Sequence, residues 1–310
     1  MKVLITGGAG FIGSHLAEIM LQRKIADEVV ILDNFSSGKK DNIIHFGEDN
    51  LKIIKGDILD FDAVRKSMQG IDVVFHEAAV VGVVRAYKDP LKTLNVNIQG
   101  TINTLEAARI NDVRRFVFAS SSEIYGQTNL IPTKETHELK PISPYGVSKL
   151  TGEVYCRAYL RTYGLKTSII RYFNVYGSRQ DKMAHSWVVP NFALRVLRKK
   201  PPIIHGDGKQ TRDFTYITDA VNGTILVAKH RRAIDEVFNL GTGRETSIKK
   251  LALKFIKIAG GKLNPIHTKA RELEISRRCA DLTKAEKILG YRPKVTLEEG
   301  IRRVLKYYSI

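Results

Sequence analysis

The sequence predicts an α/β fold, a doubly wound parallel sheet with a smaller C-terminal lobe interleaved with it. Three observations lead there. Apolar runs recur at 2–6, 29–33, 51–55, 73–75, 115–119 and 167–171, with helical patterns between most of them. The runs are near-continuous in Val, Ile, Leu and Phe, as expected of strands covered on both faces. The first run feeds straight into a glycine-rich turn, Gly7 to Gly13, with a helical pattern beginning at Ser14.

Within that turn Gly8, Gly10 and Gly13 fit the G-x-G-x-x-G spacing, which supplies a tight turn, close backbone approach to a pyrophosphate and room for a helix on the strand. The helix start offers free N–H groups and a positive dipole end to phosphates. The second run ends in Asp33, about 20 residues past Gly13, where a carboxylate can accept hydrogen bonds from both ribose hydroxyls. A carboxylate there repels a 2′-phosphate, and Asn34 and Phe35 bring no guanidinium, so NAD is expected rather than NADP. Lys39 and Lys40 lie close enough in sequence to soften that preference.

After about Gly177 the rhythm changes. A helix is expected near 188–199, then Pro201 and Pro202, a loop at 206–208 and a helical tail. Val237 to Leu240, followed by Gly241 and Gly243, reads as a strand and turn returning to the first sheet. The expected division is a dinucleotide-binding domain over 1–176, with a returning segment near 231–258, and a mainly substrate-binding lobe over 177–310. No internal repeat or low-complexity segment is visible.

The 310-residue chain carries 50 Lys and Arg against 32 Asp and Glu, a formal charge of +18 that attracts anions. The basic residues are spread along the chain and form no nucleic-acid module, so specific nucleic-acid binding is not expected and small anionic substrates are favoured. Cys156 and Cys279 are far apart and have no ligand spacing, which argues against a disulfide framework or a metal site and for a reducing compartment. The first strand begins at Lys2, and no apolar run approaches the length of a membrane span. A cytoplasmic protein is the expectation.

Ser143-Pro144-Tyr145 opens a helix with a good cap and a proline suited to the first turn, and places Tyr145 and Lys149 on one face. A phenol of ordinary pKa about 10 is a poor base at neutral pH, but a nearby ammonium stabilises its phenolate. Such a pair can take a proton from an alcohol.

These residues, with Gly56-Asp57-Ile58, His76-Glu77-Ala78-Ala79, Ser120-Ser121-Ser122 before Tyr125-Gly126, Arg171 to Gly177 and Arg212-Asp213-Phe214, resemble the extended short-chain dehydrogenase/reductase family. The likeness runs essentially end to end and is nearest to the NAD-dependent nucleotide-sugar 4-epimerases. It implies a Rossmann domain and inversion at C4 of a UDP-sugar, whether glucose/galactose, N-acetylated or uronic, through a 4-keto intermediate. It places NAD on Gly7, Gly10, Phe11, Ile12, Gly13, Asp33, Asn34, Ser36 and Gly38, sets Asp57 and Ile58 at the adenine, and puts Ala78, Ala79, Asn97 and Tyr172 along the cofactor path. Tyr145 would be the acid/base, and Lys149 would hold the nicotinamide ribose and depress the tyrosine. Ser121 would hydrogen-bond the reacting sugar oxygen, in keeping with a hydroxyl at the ligand edge of a parallel sheet. Asn174, Arg212 and Arg271 match positions that contact the nucleotide, where guanidinium forks suit a diphosphate. Arg85 lies in a segment like one in epimerases of N-acetylated or uronic sugars, although Val84 and Ala86 replace its Pro and Ser. Helices near 89–109 and 145–163 resemble those of a homodimer interface.

Three residues depart from the epimerase pattern. Glu123 makes Ser121-Ser122-Glu123-Ile124-Tyr125-Gly126 resemble UDP-glucuronate decarboxylases and sugar 4,6-dehydratases, but Ser122 stands where dehydratases carry Asp. Arg278 occupies a position that helps set the sugar pocket, where it would welcome a uronate carboxylate or project to solvent. Trp187 replaces a smaller or polar residue near the diphosphate wall. A non-catalytic NAD-binding regulator is the reading from another class, and the joint presence of Ser121, Tyr145 and Lys149 speaks against it.

Overall fold

The protein was analysed as a computed structural model, which describes residues 1–47, 50–128, 130–181, 187–271 and 274–309. The first half alternates strand and helix: β1 (Lys2–Thr6), α1 (Phe11–Gln22), β2 (Glu28–Asp33), β3 (Leu51–Lys55), α2 (Phe61–Ser67) and β4 (Val73–His76). Two short helices follow, α3 (Val83–Lys88) and α4 (Pro90–Leu94). A π-helical turn over Asn95–Gln99 leads into α5 (Gly100–Ile110). Then come β5 (Arg115–Ser121), α6 (Pro144–Tyr163) and β6 (Thr167–Tyr172). Ser143 caps α6 by accepting from the Gly146 N–H, Pro144 sits in its first turn, and Gly164 ends it in the left-handed region (φ 73°).

The second half is made of shorter pieces: β7 (Val175–Tyr176), α7 (Val188–Leu197), β8 (Ile203–His205), β9 (Thr211–Asp213), β10 (Thr215–Tyr216) and α8 (Ile217–Lys229). It ends with β11 (Val237–Leu240), β12 (Glu245–Ser247), α9 (Ile248–Ile258), β13 (Ile266–Thr268), α10 (Thr283–Leu289) and α11 (Leu297–Tyr308).

Seven strands form one parallel sheet in the order β11-β6-β5-β4-β1-β2-β3. The chain reverses direction across the sheet between β1 and β4, and such a switch point opens a crevice at the carboxyl ends of the strands. Successive residues serve opposite faces. Leu4, Val30, Val74, Phe116 and Phe118 pack with Val64, Leu105 and Cys156 on one side. Val3, Ile5, Val29, Ile31, Phe75 and Val117 pack with Leu16, Met20 and Val221 on the other, in a core continuous with Phe192, Phe255 and Val304 of the second lobe. Both cysteines are buried and free. Among the described residues no helix is long and apolar enough to cross a membrane.

Two expectations need correction. β3 is not covered on both faces: it is the sheet edge, and Lys52 and Lys55 lie exposed on it, as charged residues on edges commonly do. α1 starts at Phe11 rather than Ser14, because extended Gly10 is its cap; Ser14 is where the first helical bond begins, its N–H donating to the Gly10 carbonyl at 3.1 Å.

Candidate active site

A cleft of about 2130 Å³ lies at the carboxyl ends of the sheet strands and runs into the second lobe. At one end the turn between β1 and α1 forms its floor. Gly7 takes φ +70°, and a Cβ there would lie 2.8 Å from the Ala78 backbone; one on Gly13 would overlap the Gly7 carbonyl oxygen. The left-handed turn position is therefore Gly7. Gly8 instead leaves room for the Ile31 side chain of β2, which corrects the turn role given to it by spacing alone. Gly7, Gly10, Phe11, Ile12 and Gly13 all line the cleft at the positive end of α1.

Asp33 closes β2 and is held on both oxygens, accepting from the Ala9 N–H at 2.9 Å and the Phe35 N–H at 2.8 Å. Gly38 does not line the cleft; a Cβ on it would press on Ala9 and on Asp33 Oδ1, so it acts by letting the loop close over the carboxylate. Asn34 and Ser36 do line it. The Asn34 amide donates to Asp57 Oδ2 at 2.7 Å, which ties the ends of β2 and β3 beside Ile58. Ala78 and Ala79 form the opposite wall. Asn97 is corrected: it is buried, accepts from the Val80 N–H at 2.7 Å, and donates to the Val80 carbonyl and Ser148 Oγ at 3.0 Å each. It braces the chain after β4 against α6 rather than facing the cleft. Glycine floor, helix start and paired carboxylate together fit a dinucleotide.

Midway along the cleft, Ser121 at the end of β5 meets Tyr145 in the first turn of α6, with Lys149 one turn further. Ser121 Oγ accepts from the Glu123 N–H at 3.2 Å and lies close enough to the Tyr145 phenol to favour its ionised form. Ser120 points inward, donating to Glu153 Oε1 at 2.5 Å. Lys149 donates to the Ala119 carbonyl at 2.8 Å and lies over the Phe118 ring. Burial lowers its ammonium to about 8, against the pull of Glu77. The expected depression of Tyr145 is not seen. Burial pushes the phenol well above its ordinary value, Glu123 and Glu77 add to that, and the Ser121 hydroxyl and Arg278 only partly offset it.

At the far end Arg278 is buried and forms an ion pair with Glu123, so it does not project to solvent. Its Nη2 has no hydrogen-bond partner among the described residues. Burial would raise the Glu123 carboxyl, but Arg278 and then Arg212 outweigh it and hold it below the usual range. Arg212 pairs with Glu274 and donates to the Thr211 and Ile275 carbonyls at 2.7 Å each. Arg271 stands exposed on the rim, near enough to weaken the charge of Arg212. Asn174 adds a buried, unpartnered Oδ1 to the same wall. Arg85 reaches across the mouth to Asp181 at 2.7 Å, and Trp187 lies under Gly82. Four guanidinium groups and two polar atoms without partners among the described residues suit a polar, anionic ligand.

The sequence description of the GDP-mannose 4,6 dehydratase family matches residues 4–304. The chain belongs to this family. It is thus one of the extended short-chain dehydrogenase/reductases, as its motifs implied. A putative UDP-glucose 4-epimerase of Methanocaldococcus jannaschii is 39% identical over 98% of this chain and 97% of that relative. A UDP-N-acetyl-alpha-D-glucosaminuronate decarboxylase of Bacillus cytotoxicus is 33% identical over 99% of this chain and 97% of its own length. A UDP-glucuronic acid 4-epimerase from Bacillus cereus, solved with UDP-glucuronic acid and NAD, superposes with a TM-score of 0.93 at 36% identity, covering 99% of this chain and 98% of that one.

Within this GDP-mannose 4,6 dehydratase family member, sequence reasoning overlooked two groups. Glu77 lines the cleft and accepts from the Tyr172 hydroxyl at 2.9 Å; a carboxylate placed directly after the wholly buried β4 was the available signal. Glu153 is one turn beyond Lys149 and pairs with Arg171, both fully buried. An acid and a base alone in apolar surroundings, one in a helix and one in a strand, were the sign.

Proposed function

We propose that this chain is an NAD-dependent 4-epimerase of a UDP-sugar. The observation that carries the reading is the juxtaposition of Ser121, Tyr145 and Lys149 between a dinucleotide floor and an arginine-lined wall. Residues 1–176, with the edge strand β11, hold NAD, and 177–310 mainly hold the nucleotide sugar. When bound, NAD accepts a hydride from C4 and returns it. Asp33 holds the adenosine ribose, the start of α1 holds the pyrophosphate, and Lys149 holds the nicotinamide ribose. Tyr145 takes the C4 hydroxyl proton as C4 is oxidised and gives it back on reduction, with Ser121 bonded to the same oxygen. A phenol made strongly basic by burial suits an alcohol proton, and the Ser121 hydroxyl and the positive charge of Arg278 favour its ionised form in part against that burial. Arg212, Arg271 and Asn174 anchor the nucleotide while the 4-keto sugar turns over, so that hydride returns to the other face.

The Glu123–Arg278 pair favours a second reading. A buried guanidinium with a free Nη2 beside Tyr145 suits a uronate carboxylate. Oxidation at C4 turns such a sugar into a β-keto acid, which can lose carbon dioxide. Incubation with UDP-glucose, UDP-N-acetylglucosamine and UDP-glucuronate, followed by mass spectrometry and proton NMR, separates the two. Unchanged mass with inverted C4 supports epimerisation, loss of carbon dioxide supports decarboxylation, and turnover of none overturns both. Arg278→Gln is expected to cut the preference for the uronate over the neutral sugar by roughly 10- to 100-fold in kcat/KM. An unchanged ratio excludes the carboxylate contact.

A homodimer through α4, α5 and α6 belongs to the same proposal. Of these, α4 and α6 carry Leu91, Leu94 and Val154 more than half exposed, with Leu91 at 74%. Light scattering should give twice the chain mass, and Leu91→Glu should give a monomer; a monomeric wild type removes the dimer.

A further inference from the structure

Among the described residues Glu77 is the one carboxylate on the cleft wall close enough to act electrostatically on both Lys149 and Tyr145 that the proposed chemistry leaves without a task. It follows His76, which pairs in register with Phe118 of β5, so it stands beside Ala119, whose carbonyl accepts the Lys149 hydrogen bond at 2.8 Å. Its hydrogen-bond chain is unusual in having two complete arrangements. The Tyr172 hydroxyl lies 2.9 Å from Glu77 Oε1 and 2.6 Å from Thr224 Oγ1, and the Thr224 hydroxyl also reaches the Ala220 carbonyl at 2.9 Å. With Glu77 ionised, Thr224 donates to Tyr172 and Tyr172 donates to the carboxylate. With Glu77 protonated, the chain reverses: Glu77 donates to Tyr172, Tyr172 to Thr224, and Thr224 to Ala220. Every hydroxyl proton has an acceptor either way, so the carboxyl can change charge without leaving a buried group unsatisfied.

Lys149 needs such a neighbour. Its side chain is buried, its hydrogen bond goes to a neutral carbonyl, and it forms no ion pair among the described residues. An ammonium so placed loses its charge readily unless a carboxylate offsets the burial. We propose that Glu77 is a positioning residue whose negative charge keeps Lys149 in its ammonium form, with Tyr172 and Thr224 relaying the proton rearrangement when Glu77 titrates. The inference rests on the C4-oxidation reading of this cleft but not on which product leaves it.

The charges around Glu77 agree in sign. Burial raises its carboxyl to about 7, partly offset by the Tyr172 bond and Lys149. Burial lowers Lys149 to about 8, with Glu77 opposing. Between these values both are charged; below, Glu77 is neutral, and above, Lys149 is. The groups facing Glu77 are Lys149 and Tyr145 from α6, Tyr172 from β6 and the Thr224 hydroxyl from α8. Neighbouring His76 turns to the other side, bonding Thr6 and Thr101.

The test uses the holoenzyme for kinetics and the full chain for titration. Wild-type kcat should fall above about pH 8, as Lys149 loses its proton. Glu77→Gln keeps the Tyr172 bond but not the charge. It should lose activity at lower pH on the alkaline side, running about threefold slower at pH 7.5 and approaching tenfold slower above about pH 8.5, the change expected for a fall of one unit in Lys149. Independently of turnover, the NMR titration of the Lys149 side chain, assigned with Lys149→Met, should move to lower pH in Glu77→Gln and return toward wild type in Glu77→Asp. Should Glu77→Gln fail to fold, Tyr172→Phe should move the Lys149 titration and the alkaline limb to lower pH, because it removes the bond that stabilises the ionised Glu77 carboxyl. An unmoved Lys149 titration with an unmoved alkaline limb overturns the role of Glu77. A moved titration in a chain that turns over no UDP-sugar keeps the charge coupling and discards the reaction instead.

Discussion

Tyr145→Phe is expected to lower kcat by about three orders of magnitude, within the range a positioned general acid–base supplies, while leaving folding and NAD binding intact. The substitution removes one oxygen from a ring only 7% exposed. The ring contacts that hold the start of α6 on the end of β5 remain. What is lost is the hydroxyl beside Ser121 that, on the proposed reading, carries the C4 proton in both directions. Ser121→Ala should cost less, since Tyr145 keeps its proton chemistry and loses only a neighbouring hydroxyl. KM for the UDP-sugar should move little in Tyr145→Phe, because Arg212, Arg271 and Asn174 hold the nucleotide elsewhere. Steady-state kinetics with a thermal melt and an NAD titration check this. A variant within tenfold of wild-type kcat would remove Tyr145 from the chemistry and leave the cleft without a proton carrier.

The strands of the sheet were legible because each is a short apolar run whose neighbours bury it on both faces. β3 shows the boundary of that logic, since its Leu51, Ile53 and Ile54 look like core and yet form the edge. The Tyr145/Lys149 pair was legible for a local reason: four residues along a capped helix is one face. Side chains whose environment is made by distant segments were not. Gly7 and Gly8 cannot be told apart by spacing, and only contact with Ala78 or with Ile31 assigns their roles. Asn97 looked like a cofactor contact until Val80 and Ser148 took its whole amide. Arg278 was left between pocket and solvent because Glu123, its partner, lies 155 residues away. The behaviour of Tyr145 was misjudged for the same reason: the sequence displays the helpful lysine but not the depth of burial or the two carboxylates that oppose it.

Glu153→Ala is expected to destabilise the protein by about 3–5 kcal/mol, the cost of leaving a buried charge without its partner. Arg171 and Glu153 have side chains 1% and 2% exposed and meet through two bonds, of 2.9 and 2.7 Å. Arg171 also reaches the Tyr125 hydroxyl at 2.8 Å, Tyr125 donates to Asn239 at 2.7 Å, and Ser120 donates to Glu153. The pair therefore stitches β5, β6, β11 and α6 together beneath the catalytic residues. Burial works against the guanidinium charge, but the bonds and charge of Glu153 more than offset it. For a chain of 310 residues the loss corresponds to a fall in Tm of roughly 5–8 °C. Glu153→Gln should lose less, since an amide can still accept one of the guanidinium bonds. Replacing both partners, Glu153→Leu with Arg171→Met, should recover much of the stability, because no charge is then left stranded. Activity should not recover with it. Ser120 adjoins Ser121, and Glu153 lies one turn from Lys149, so the network sets where those two groups meet the substrate. A double variant as active as wild type would show that the pair serves stability alone, and a single variant melting within about 2 °C of wild type would show that Arg171 finds another partner.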